Sequence, residues 1–124
     1  MSKIDPDKRA KELHSLIKSK FSQNFVTIAV LTTENEKVIV GTSEPKLREE
    51  QIEALRENEI EAKDKNPDKH AEEKVIEKCK SLGWLGKAIG TSRPICSDCE
   101  DLIKKEDIEP KTELKGKKSK KRKS

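Results

Sequence analysis

His70-Ala71-Glu72 and, further along, Ser92-Arg93-Pro94-Ile95-Cys96-Ser97-Asp98-Cys99 are the stretches on which the reading of this chain turns. One imidazole and two thiolates can hold a zinc ion through three protein ligands and leave the fourth tetrahedral position to water. His70, Cys96 and Cys99 are the candidate ligands. Glu72 stands two residues from the histidine, near enough to handle that water's protons. The spacing of Cys96 and Cys99 puts both thiols on one face of a helical turn. At a helix N-terminus the dipole lowers the cost of keeping them ionised.

An H-x-E followed by P-C-x-x-C is the signature of the zinc deaminases, in which the glutamate works on protons and not on the metal. This chain resembles the deaminase domains at the ends of bacterial polymorphic toxins, some of which carry Ser-Arg-Pro-Ile-Cys before the second cysteine. One departure is visible: Ile95 separates Pro94 from Cys96, while the two-residue gap between the cysteines is intact. The resemblance runs from about residue 25 to 114, and only residues 70–99 are specific to it. It implies a cytidine deaminase-like α/β fold, layered α-β-α, whose mixed sheet carries two helices with the zinc ligands at their N-termini. Members usually carry two further strands after the second metal helix; the short remainder here leaves the sheet short of one or both. It also implies zinc-dependent hydrolytic deamination of cytosine in DNA or RNA, in a domain delivered by a secreted toxin into a target cell's cytoplasm. Glu72 would pass a water proton to the base and then to the departing ammonia. Phe25, Ser92 and Arg93 would meet base or phosphate, and a cognate immunity protein would be a partner of an otherwise monomeric enzyme.

Two other readings stay open. A deaminase of free nucleosides or nucleotides has the same metal chemistry. A noncatalytic, zinc-stabilised nucleic-acid-binding module would need a fourth protein ligand to close the tetrahedron. Cys79 and His14 are the remaining soft donors, and neither has ligand spacing with the others. Cys79 reads as a small buried hydrophobe, and His14 as a surface or packing residue.

Outward from the motif, apolar periodicity sets out the elements. Residues 5–21 read as an amphipathic helix, with Asp5 as cap, Pro6 at its first position and a stripe of Ala10, Leu13, Ile17 and Phe21. Residues 25–31 and 37–42 are β-rich runs joined by a polar connection of hairpin length. Their nearly unbroken apolar character predicts strands covered on both faces. Residues 46–63 read as a solvated helix with Leu47, Ile52 and Leu55 inward. A helix from His70 to about Ser81 turns Val75, Ile76, Cys79 and Leu82 inward and leaves Glu73 and Lys74 in water, with Gly83 after its end. Residues 85–91 form a third strand, residues 96–105 a helix with Leu102 and Ile103 inward, and residues 108–114 one more short strand. Trp84 is expected to pack in the core.

The chain divides into an N-terminal helix at 1–22, the deaminase domain at 23–114 and a disordered basic tail at 115–124. Its net charge of +4 hides a split: residues 111–124 carry +7, and residues 1–110 carry 20 basic against 23 acidic residues, or −3. Lys117, Lys118, Lys120, Lys121, Arg122 and Lys123 of the tail are candidates for neutralising phosphates. Three cysteines are too few and odd in number for a disulfide framework. No apolar run approaches the roughly 20 residues of a membrane span, and the N-terminus has no signal-peptide h-region.

Overall fold

The computed structural model describes residues 5–66 and 68–112. Its centre is a five-stranded mixed sheet of order β3-β2-β1-β4-β5, built from β1 (Ile28–Thr33), β2 (Val38–Thr42), β3 (Glu59–Glu61), β4 (Gly86–Thr91) and β5 (Glu109–Pro110). β1 pairs antiparallel with β2 and with β4, while β3 and β5 join the two sides in parallel. The hairpin between β1 and β2 closes where Glu36 adopts φ 64°.

Both faces of the sheet are covered, as the unbroken apolar runs predict. Alternation along β1 sends Ile28 and Val30 to one side and Ala29 and Leu31 to the other. The first side packs on α1 (Pro6–Ser15), whose Ala10 and Leu13 are fully buried, and on Ile17, Val26 and Leu47. The second packs on α4 (Ala71–Ser81) and α5 (Ser97–Lys105) through Val75, Ile76, Cys79, Ile95, Cys99 and Ile103. The α-β-α layering expected from the sequence is therefore present.

Two glycines permit close approach of helix to sheet. A Cβ on Gly41 of β2 would stand 2.8 Å from Val75 Cγ1 and 3.2 Å from the Ala71 carbonyl of α4. A Cβ on Gly90 of β4 would meet the backbone of Pro6 and Asp7 at 2.2–2.5 Å, so the first turn of α1 rests directly on that strand.

Three stretches depart from the sequence reading. The helix expected over residues 5–21 ends at Ser15, and a single turn, α2 (Lys20–Gln23), follows with Ser19 as its cap. Gln23 Nε2 donates to the Ile17 carbonyl at 2.7 Å, and the Gln23 carbonyl lies 2.8 Å from His14 Nε2. These contacts fold the chain back, so that Val26 joins Ile17 in the core.

The helix expected over 46–63 is only α3 (Glu49–Glu53), followed by a turn and then β3. Arg9 on α1 makes a bidentate pair with Glu59, at 2.8 Å from both Nε and Nη2, and a third bond to the Ala54 carbonyl. Lys74, expected in water, is only 2% exposed; its ammonium donates to the carbonyls of Thr42 and Glu44 at 2.9 and 2.8 Å. Leu82, expected inward, is 39% exposed. Of the expected strand at 108–114, β5 is formed at Glu109–Pro110, and residues from 113 onward lie outside the described residues.

Candidate metal centre

His70 is the N-cap of α4 and Cys96 the N-cap of α5, both with extended backbone. Cys99 sits one turn into α5. Two helices that cover the same face of the sheet thus aim their positive ends at one point. Within the first turn of α4, Glu73 Oε1 accepts the His70 amide at 2.7 Å, which fixes the backbone that carries the imidazole. Glu73 was expected to face water; it is half-buried and spends its carboxylate on this cap.

The segment entering α5 is held by three anchors. Ser92 Oγ accepts the Ile28 amide at 2.9 Å, and the Ser92 amide donates to the Ile28 carbonyl at the same distance. The Thr91 hydroxyl donates to the Arg93 carbonyl. Ile95, the residue that departs from the P-C-x-x-C pattern, is fully buried among the α4 and α5 side chains. The departure is thus an apolar plug that seats the segment just before Cys96.

His70 Nδ1 lies 3.5 Å from Cys96 Sγ and 3.4 Å from Cys99 Sγ. All three candidate ligand atoms fall within 4.8 Å of one another. Zinc–sulfur bonds of about 2.3 Å and zinc–nitrogen bonds of about 2.0 Å at a tetrahedral angle separate N from S by about 3.5 Å. The donor set fits that edge length. Among the described residues no further His, Cys, Asp or Glu joins the group. Cys79 is buried on the core side of α4, where its thiol donates to the Trp84 carbonyl at 3.3 Å; Trp84 itself is half-buried against the same core. His14 is engaged with Gln23 on the α1 side.

Glu72 is buried at 4% exposure and stands beside the Cys99 thiol without belonging to the three-atom group. Burial pushes its carboxyl above the ordinary range, while its own amide N–H, His70 and the Cys99 thiol pull the other way. Burial likewise pushes the Cys99 thiol far up, with the Glu72 carboxylate and Cys96 adding to the effect. A thiol in this setting calls for a cation beside it to become a ligand.

The other site residues named from the sequence are placed less centrally. Ser92 spends its hydroxyl on β1. Arg93 is exposed, and its Nη1 donates to the Asn24 carbonyl at 2.9 Å. Phe25 is 65% exposed and pairs with Phe21, ring centroids 5.0 Å apart. Lys117, Lys118, Lys120, Lys121, Arg122 and Lys123 lie outside the described residues. The burial of Lys74 was missed from sequence, where a lysine between Glu73 and Val75 carries no mark of it. No helix among the described residues is long and apolar enough to cross a membrane. No family model, curated protein or solved structure matches this chain.

Proposed function

We propose that this chain is a zinc-dependent hydrolytic deaminase of cytosine in nucleic acid, of the kind carried by bacterial polymorphic toxins. One observation carries the reading: a His-Cys-Cys group of tetrahedral edge length with a buried glutamate next to it, outside the ligand set. A structural zinc site needs four protein ligands, and three are gathered here among the described residues.

When bound, zinc supplies an acidified water, with a pKa lowered from 15.7 to about 7. His70, Cys96 and Cys99 would hold the ion. Glu72 is fixed by the first turn of α4, so its carboxylate accepts a proton and returns it without leaving its place. Val75, Ile76 and Ile95 are buried in the same apolar cluster as Cys99, so that thiol borders dry core on one side. The peptide dipoles of α4 and α5 offset the negative charge of the two thiolates.

The test is incubation of the purified protein with single- and double-stranded DNA, RNA and free nucleosides, read by sequencing for cytosine-to-uracil change and by ammonia release. Change in a polymer supports the proposal, and release from free nucleosides alone replaces the substrate. Elemental analysis should find about one zinc per chain, lost in Cys96→Ala and Cys99→Ala and kept in Cys79→Ala. A folded, zinc-free protein would remove the basis of the proposal.

A further inference from the structure

Phe21 and Phe25 are the chain's only phenylalanines, and they are 73% and 65% exposed. Their rings pair at 5.0 Å and 56°, and neither enters the apolar cores. A hydrophobic pair left in water on a chain so poor in aromatic residues asks for a partner.

The surroundings indicate which. Lys18 and Lys20 precede Phe21 and are exposed, and Arg93 reaches the neighbourhood of Phe25 by its bond to the Asn24 carbonyl. None of the three forms an ion pair among the described residues. The two segments that build this surface are free of acid: there is no Asp or Glu from Ser15 to Thr33, nor from Gly83 to Ser97. Residues 1–110 are net acidic, so three exposed cations without an ion pair among the described residues, two just before Phe21 in sequence and one bonded next to Phe25, form a local exception to the charge of the body.

The position is also informative. Ser92 binds Ile28 at the entry of β1, and Cys96 follows Arg93 by three residues. The patch is therefore continuous along the chain with the metal-centre segment.

We infer that Phe21, Phe25, Lys18, Lys20 and Arg93 form a docking surface for a single-stranded nucleic acid, bases against the rings and phosphates against the cations. Aromatic faces accept any base, and a lysine–arginine rim accepts a backbone. This deepens the proposed function by extending substrate contact past the reacting base to its neighbours along the strand.

The experiment is fluorescence anisotropy of the full chain loaded with zinc, on two labelled probes without cytosine, oligothymidylate DNA and oligouridylate RNA, across a salt series. Phe21→Ala and Phe25→Ala should each weaken binding roughly 5- to 150-fold, the range of losing one stacked base. Phe25→Leu keeps the bulk and loses the aromatic face, and it should bind as weakly as Phe25→Ala. The triple variant Lys18→Gln/Lys20→Gln/Arg93→Gln should lower the slope of log affinity against log salt by about 2, at about 0.7 per phosphate on a single strand. All variants alter exposed side chains, and unchanged circular dichroism and zinc content check their fold.

Phenylalanine variants within twofold of wild type on both probes would overturn the inference. So would polyglutamate binding as tightly as the oligonucleotides, which would mark a site for an acidic protein segment. Because the probes lack cytosine, the result is independent of turnover. Absent deamination with the expected binding losses defeats the proposed activity alone; deamination with unaltered binding defeats this surface alone.

Discussion

Glu72 and Glu73 are adjacent carboxylates in different surroundings, and substitution should separate them. Glu72 is buried beside Cys99 and is not one of the three grouped ligands. On the proposed function, Glu72→Ala should retain zinc, measured by elemental analysis, and lose deamination by about 10²- to 10⁴-fold, the usual contribution of a positioned proton-transfer group. Loss of the metal in that variant would make Glu72 a ligand and favour a structural site. Glu73→Ala would look silent from the sequence, where Glu73 belongs to the outer face of a helix. Its bond to the His70 amide changes the expectation: removal should lower stability by about 1 kcal/mol in urea unfolding, with turnover per folded molecule unchanged. The gathering of His70, Cys96 and Cys99 was legible in the sequence because these donors are rare residue types at fixed spacing. The caps were not, because a Glu at N3 and a Glu in solvent look alike until the helix start is fixed to the residue.

At the scale of elements, the strands β1, β2 and β4 and the helices α4 and α5 could be read because apolar period and length agree there. The region from Lys46 to Lys63 could not. Its Glu, Ala, Leu, Arg and Lys content favours a helix, but β3 forms because its backbone completes the open edge of β2, a gain that no local propensity records. The buried carboxylate of Glu59 and the fully buried Gln51, which donates to the Leu13 carbonyl at 3.0 Å, then hold α3 and β3 against α1. Gly90 is a second case in which the sequence carried no sign of its neighbour. Gly90→Ala should force the first turn of α1 off β4, since the nearest atoms are backbone and cannot swing aside. A loss of at least about 1–3 kcal/mol is expected, read as a lower urea midpoint at unchanged slope. A midpoint equal to wild type would show that α1 rests on β4 less closely than described.

Across the whole molecule, one ion pair binds three elements, for Arg9 of α1 holds Glu59 of β3 and the carbonyl that ends α3. Burial raises the Glu59 carboxyl, but bonds from Arg9 and the Arg56 amide outweigh it and hold the group below the ordinary range. A carboxyl lowered by folding contributes its stability fully above the unfolded value, near about 4.3, and loses it as the pH falls through the lower folded value. Unfolding free energy should therefore decline with acid below about pH 4.5, and Glu59→Gln should flatten that decline. The same variant should cost about 3 kcal/mol at neutral pH, the low end for breaking a buried pair, because the guanidinium loses its buried partner but keeps Glu12 Oε1 at 3.2 Å and the Ala54 carbonyl. An acid limb of the same steepness in the variant would assign the decline to other carboxylates.

Asp7 and Thr112 stand near opposite ends of the described chain, yet Thr112 Oγ1 lies 2.6 Å from Asp7 Oδ1 and also receives the Thr91 amide at 2.7 Å. The described part of the chain is close to a ring, Asp7 and Thr112 meeting over the strand that leads to Cys96. Its connectivity can therefore be cut and rejoined: a circular permutant opened in the turn between β1 and β2 and joined by a flexible linker leaves every buried layer in place.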